Sequence, residues 1–351
     1  MRLKLMKIYN NKKLLTISLL ILFLSVPAFP KAKAAAPDWV TNYQSVYPES
    51  EYIAQKGTGK KSDISKDEAL AALSFYFETT VNARRESNYK SLEQTEAGKY
   101  KRKDTQETIR ETKARTSTDL KAVEFTEPYY DKKAKTWHCV AFIKREIVWN
   151  SYEPELRVSK DNFTSYYNKA VAEQEQFTKL QYLSKAIEQG WDFMDKISYA
   201  QFLSEKLTNQ NYSDDLELFS SLASLLSKEK LNCSLYVVCQ NDVGNQVYSA
   251  VTKVFRESGF TVTKNKNEGT YTVTVEVPFD YYKDDDILVY NSSVQISIKG
   301  KNGIVYSYSK DAPVVKVYST TTGQKYVVEE ICALLNETFN NEFNAAVSGN
   351  K

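Results

Sequence analysis

The chain of 351 residues holds a single histidine, His138. A catalytic zinc set built on two or three histidines is therefore excluded. Cys139 follows it and suggests a Cys–His pair, but neighbours on a strand point to opposite faces. If Trp137–Trp149 is extended, the two side chains cannot meet. A Ser–His–Asp site would need this one imidazole in a cleft beside a nucleophile; a sheet-face histidine is the simpler expectation. The phosphate-loop pattern is missing too. Gly57-Thr58-Gly59-Lys60-Lys61-Ser62 resembles its tail. The loop, however, needs glycine five positions before its Gly-Lys pair and Ser or Thr directly after the lysine. Ala54 and Lys61 stand there. Asp280 and Asp284-Asp285-Asp286 lack the alternating ligands, central glycine and terminal glutamate of an EF-hand loop, and are read as solubilising loop charge. The stretch 159–229 has no Gly-Pro linker character, and no fixed-period pattern recurs as helical repeats require.

The four cysteines do not make a disulfide framework in a chain this long. In an extended run Cys233 and Cys239 would lie about 20 Å apart, at ~3.3 Å per residue. A disulfide needs Cα atoms within ~7 Å. Cys139 and Cys332 stay open as partners for each other or for either of these, and buried free thiols are the preferred reading.

What is present begins with an export signal. Arg2, Lys4, Lys7, Lys12 and Lys13 precede a short apolar run, Leu14 to Val26, and a small-x-small site, Ala32-Lys33-Ala34. This order describes a secretory signal peptide over 1–34; the run is too short for a comfortable membrane span. No cysteine stands near that site to take a lipid. The segment carries seven basic residues and no acid, so its removal leaves 40 basic against 44 acidic residues, a net charge of about −4. A nucleic-acid binder needs a basic footprint, so none is expected as a partner. The run Lys99-Tyr100-Lys101-Arg102-Lys103 offers peripheral contact with an anionic membrane surface, with a solvated face as the commoner outcome.

The remaining ~317 residues favour more than one domain. The fold class expected is α+β: an α+β domain over 35–156, a helical connector over 157–229 and a small α+β domain with an antiparallel sheet over 230–351. Residues 35–50 read as an extended lead-in that docks Trp39. Tyr52-Ile53-Ala54 reads as a short strand and Gly57-Thr58-Gly59 as a turn, since glycine permits positive φ. Ser65 and Glu68 form a capping-box pattern before a helix with Ala69, Ala72, Leu73, Tyr76 and Thr80 on one face. Thr79-Thr80-Val81 weakens that helix. Residues 86–119 are charge-dense and read as a solvated hairpin or partly disordered insertion. Residues 120–149 read as an antiparallel hairpin that receives the helix, with a long strand from Trp137 to Trp149.

The connector shows a stripe of Phe163, Tyr167, Ala170, Val171, Gln174, Phe177 and Gln181. Gly190 interrupts, Phe193 to Leu207 gives a second helix, and Asn209 to Ser213 is a turn cluster. Leu216, Phe219, Leu222, Ala223 and Leu226 mark a third. Beyond it, Leu231–Val238, Phe260–Thr263, Tyr271–Val277, Ile287–Ile298, Ile304–Tyr308 and Val314–Tyr318 read as strands. Val247 to Phe255 marks a helix ended by Gly259. Asn302-Gly303 signals a hairpin. Val328, Ile331, Leu335, Phe339 and Phe343 mark a closing helix.

Pro37-Asp38-Trp39-Val40, Tyr52-Ile53 with Gly57-Thr58-Gly59, the Ala-rich helix 69–77 and Trp137-His138-Cys139-Val140-Ala141-Phe142-Ile143 follow one another in an order similar to the Lpp-twenty lipoprotein family of bacterial envelopes, whose domain also occurs in flagellum-associated outer-envelope proteins. The resemblance covers 37–156. It implies a non-enzymatic envelope role and supplies no catalytic residues; the missing lipobox cysteine departs from the family. No catalytic, cofactor-binding or metal-ligating residue is assigned. The expectation is an exported, non-catalytic protein of the periplasm, outer envelope or cell surface that binds or positions envelope proteins or other envelope components. The alternatives are a carboxylate-dependent hydrolase, which needs only two spaced acids, and a glycan- or peptide-binding module using exposed Tyr with Trp149 or Trp191.

Overall fold

The computed structural model describes residues 36–93 and 122–349. The signal segment, the basic run at 99–103 and most of the expected insertion lie outside them. The protein is α+β, with sheets in its N- and C-terminal regions and helices between them.

The lead-in is not extended. It forms two single turns, α1 (Asp38–Thr41) and α2 (Tyr43–Val46). Pro37 precedes the first, where its missing N–H costs nothing, and Trp39 is half-buried. Strand β1 (Tyr52–Gly59) runs straight through both glycines, which correct the expected turn. Their use is closeness, since a Cβ on Gly57 would lie 2.1 Å from the Ala69 nitrogen and 2.4 Å from the Ser65 carbonyl oxygen. Helix α3 (Ser62–Glu93) therefore begins before the expected cap and lies directly on the strand. Ser65 is buried inside it, and its Oγ donates to the Ser62 carbonyl at 2.7 Å. Ser65, Ala69, Leu73, Phe77, Val81 and Arg85 form the packing stripe, each a turn above the last. The β-branched run does not end the helix. Thr79 Oγ1 bonds the Phe75 carbonyl at 2.8 Å, a local arrangement that a helix tolerates.

Strands β2 (Glu124–Phe125), β3 (Tyr129–Asp131) and β4 (Thr136–Lys144) complete an antiparallel sheet, with β4 between β1 on one side and β2 and β3 on the other. The expected strand to Trp149 stops early, because Arg145 opens helix α4 (Arg145–Ala172). The N–H of Arg145 donates to Glu51 at 2.9 Å, and its Nε to the Glu49 carbonyl at 2.6 Å, turning the chain off the sheet.

Helix α4 ends at Ala172, so the expected stripe across 163–181 is broken. Glu175 caps the next helix by accepting from the Thr178 N–H at 2.7 Å. That helix, α5 (Gln176–Asn232), is two antiparallel arms joined at Ser204, whose φ of −155° and ψ of 100° are non-helical. Ser204 Oγ accepts from the Leu207 N–H at 3.3 Å, the N-cap geometry that starts a helix. Asn209–Ser213 is helical, not a turn. Gly190 does not interrupt either. It is buried in the first arm, where a Cβ would lie 2.3 Å from the Phe219 ring of the second. The bundle core includes Trp191, Phe163, Phe193 and Phe219, with edge-to-face packing of Trp191 on Phe219 at 5.3 Å. Asn88 of α3 reaches Ser198 and Gln201 at 2.9 and 3.1 Å.

The C-terminal sheet begins with β5 (Ser234–Gln240), three residues later than expected. Helix α6 (Gln246–Glu257) ends before Gly259, at φ 91°, as expected. Strands β6 (Thr261–Thr263), β7 (Tyr271–Glu276), β8 (Phe279–Asp284), β9 (Ile287–Gly300), β10 (Gly303–Asp311) and β11 (Val315–Val317) come next in the chain. The order is β10-β9-β7-β5-β6, with β8 and β11 on the first half of β9. Strand β5 runs parallel to β6 and β7, so the sheet is mixed. Asp280 and Asp284 belong to strand β8 and not to a loop; Asp285, at φ 53°, turns the chain into β9. Helix α7 (Thr320–Leu334), a π-helical turn (Leu335–Phe339) and α8 (Asn340–Val347) close the chain. The expected stripe Val328, Ile331, Leu335, Phe339 and Phe343 is wholly buried.

Candidate functional site

The residues singled out by sequence go to separate places. Cys139 is buried toward α3, while His138 lies on the opposite sheet face, paired with Thr58 and Tyr129. Both His138 ring nitrogens are buried without a hydrogen-bond partner among the described residues. Burial, then Lys56, holds its pKa below the ordinary range, with Asp131 opposing. All four cysteines are free. Burial raises the Cys233 and Cys239 thiols to about 12, which suppresses the reactive thiolate. Among the described residues no group of three or more His, Cys, Asp or Glu could hold a metal ion, and no helix is long and apolar enough to cross a membrane. Trp191 is 2% exposed and belongs to the core.

Trp149 is different. It is buried with its indole N–H donated to Thr208 Oγ1 at 3.0 Å, yet it forms the floor of a cleft of about 450 Å³ between α4 and the second arm of α5, within the ordinary range for small-molecule sites. Asn150, Glu153, Arg157 and Lys160 line it from α4, and Asn211, Tyr212 and Asp215 from α5. The spacing explains the grouping. Val148, Tyr152, Leu156, Ser159 and Phe163 are buried at the bundle seam, so residues one position round the helix flank it. Tyr212 donates to Glu153 at 2.8 Å. Burial and this bond push its pKa well above the ordinary phenol range. Arg157 stands 3.9 Å from Glu153, and Lys160 is held by Asp161 at 2.7 Å. Burial raises the Asp215 carboxyl; Lys160 opposes this, and Asp214 and Asp161 add to it. Sequence reasoning reached only Trp149 here, because the rest depends on which helices meet.

Four exposed tyrosines lie in the segments at the β8–β9–β11 end of the C-terminal sheet, with Tyr281 and Tyr282, neighbours on β8, on opposite faces. Tyr318, Tyr282, Tyr281 and Tyr326 are 80%, 56%, 53% and 45% exposed. Tyr281 stacks on the buried Tyr290 at 4.9 Å, and Tyr290 lies directly beneath Gly323 of α7.

The fold is thus that of an α+β protein in which a helical bundle joins two sheet-bearing regions. No protein-family model matches the chain, and no curated protein does. Among solved structures it is similar to a lipoprotein from Caulobacter crescentus CB15, at 15% identity and a TM-score of 0.26, covering 36% of this chain and 97% of that one. A minor lipoprotein from Acinetobacter baumannii matches at 9% identity and a TM-score of 0.24, over 34% of this chain and 92% of that one. The secreted protein HP1454 from Helicobacter pylori matches at 14% identity and a TM-score of 0.29, over 85% of this chain and 96% of that one.

Proposed function

We propose that the protein is an exported, non-catalytic component of the bacterial cell envelope that binds or positions other envelope components. The observation that carries the reading is the exposure of Tyr281, Tyr282, Tyr318 and Tyr326 in the β8, β11 and α7 segments, with Tyr281 on the sheet face that carries α7 and Tyr282 on the opposite one. Tyrosine combines a large apolar body with a polar tip and is enriched where proteins meet. The signal-like order of residues 1–34 supports export. The opposite placement of His138 and Cys139 supports a role without nucleophilic catalysis. The rival is carboxylate-dependent hydrolysis, favoured by Glu153 and Asp215 lining one cleft.

The test uses the wild type and a Y281S/Y282S/Y318S/Y326S variant as bait against detergent-solubilised envelopes of the producing cells. An envelope protein retained by the wild type and lost by the folded variant is the expected result. Equal recovery by both, no recovery by either, or sustained turnover of a cell-wall polysaccharide overturns the proposal.

A further inference from the structure

The cleft between α4 and α5 is separate from these tyrosines, and its chemistry points to a different kind of ligand. Its lining carries both signs of charge, Glu153 and Asp215 against Arg157 and Lys160. These groups do not simply neutralise one another. Lys160 is occupied by Asp161 at 2.7 Å. Arg157 reaches Glu153 only at 3.9 Å and is 59% exposed at its side chain. Asp215 is half-buried and makes no hydrogen bond or ion pair among the described residues.

The Asn211 side chain gives its Nδ2 to the Leu207 carbonyl at 2.8 Å, leaving its amide oxygen available. The buried rings of Trp149 and Tyr212 supply an apolar floor.

We infer that this cleft is a binding site for a small zwitterionic ligand of the amino-acid or short-peptide class, its ammonium held by Asp215 and Glu153 and its carboxylate by Arg157. A purely cationic ligand would face Arg157, and a purely anionic one would face Asp215. A neutral ligand would leave the half-buried Asp215 carboxylate without an opposite charge, where a charged group gains most from pairing. A molecule with one charge of each sign is complementary to all of them.

Titration calorimetry of the purified protein with alanyl-alanine tests this, alongside N-acetyl-alanyl-alanine and alanyl-alanine amide, which each lack one charge. The expected result is binding of the free dipeptide, with each blocked form about tenfold weaker or more, as expected for loss of one charge-assisted contact. Asp215→Asn should weaken the free dipeptide and remove the discrimination against the N-acetyl form. Arg157→Gln should do the same for the amide. Both positions are at least partly exposed, and circular dichroism checks that the variants fold. If one does not, the wild-type comparison of blocked and free dipeptides still decides. The inference is overturned if the dipeptide gives no binding, if the blocked forms bind as well, or if neutral chitobiose binds and Asp215→Asn leaves its affinity unchanged.

Discussion

Arg145 joins three segments through one guanidinium. Its Nε donates to Glu49 and Tyr52, and its Nη1 to the carbonyls of Phe202 and Leu203 at the end of the first α5 arm. A helix ends with unpaired carbonyls, and a cation there also meets the negative end of the helix dipole. The strand-to-helix change at Arg145 and the break at Ser204 are thus tied together by one side chain. His138 is the opposite case, a polar side chain with no partner for either nitrogen among the described residues. Its environment favours the neutral ring, since burial and Lys56 outweigh Asp131 and lower its pKa below the ordinary 6.5. Folding stability from this group is therefore complete above that pH and is lost as pH falls toward the folded-state pKa. The wild type should lose more stability between pH 7 and pH 5 than His138→Phe, read as the shift in urea midpoint at the two pH values. Parallel losses in the two proteins would show that His138 stays uncharged or is solvated in both states.

At the scale of elements, glycine and the helix ends separate what sequence shows from what it hides. The C-terminal strands were legible because alternation is local, as in Tyr271–Glu276 with its buried Tyr271, Val273 and Val275; the hairpin signalled by Asn302-Gly303 is there, but its turn residues are Lys301-Asn302, and Gly303, at φ 130°, opens β10 opposite Gly300. Strand β8 was hidden, since five of its six residues are exposed and Asp280 and Asp284 resemble loop charge. The break at Ser204 carries no Gly or Pro, and the carbonyls it frees at Phe202 and Leu203 are met by Arg145, far away in sequence. Gly57 and Gly190 were visible as residues, but their reason is tertiary. Each lets another element approach within the space of a methyl group. Gly190→Ala should therefore destabilise the bundle by about 1–3 kcal/mol, the usual cost of overpacking, although alanine is the better helix former. Denaturant unfolding measures it. A neutral or stabilising effect would mean that Phe219 moves aside at little cost. The cleft was illegible for the same reason as the break, because Asp215 and Glu153 become neighbours only when α5 folds back on α4.

At the scale of the whole molecule, the question is whether the expected units at 35–156, 157–229 and 230–351 behave separately. Residues 156 and 157 are consecutive inside α4, and 229 and 230 lie in the last turn of α5. The buried core runs without interruption from Ile53 in β1, through Phe163 and Phe219 in the bundle, to Phe343 in α8. At the junction Phe177 packs against Phe260, Tyr271 and Phe343, with ring centroids 6.2–6.4 Å apart. The Tyr271 hydroxyl donates to Glu175 and accepts from the Phe177 N–H at 3.0 Å, so a C-terminal strand completes the cap of a bundle helix. Melting the C-terminal sheet would expose Phe177 and uncap α5, and each buried aromatic contributes roughly 1.5–3 kcal/mol. The arms of α5 in turn hold α3 through Asn88 and the Arg84–Glu205 pair. Cooperative units are set by such shared buried contacts. Calorimetry of the wild type should accordingly give one transition whose van't Hoff and calorimetric enthalpies agree. Tyr271→Phe should lower its midpoint without splitting it, because the lost hydroxyl weakens a junction on which both sides depend. Two resolved transitions in the wild type would make the C-terminal sheet an independent unit and the junction a contact between finished domains.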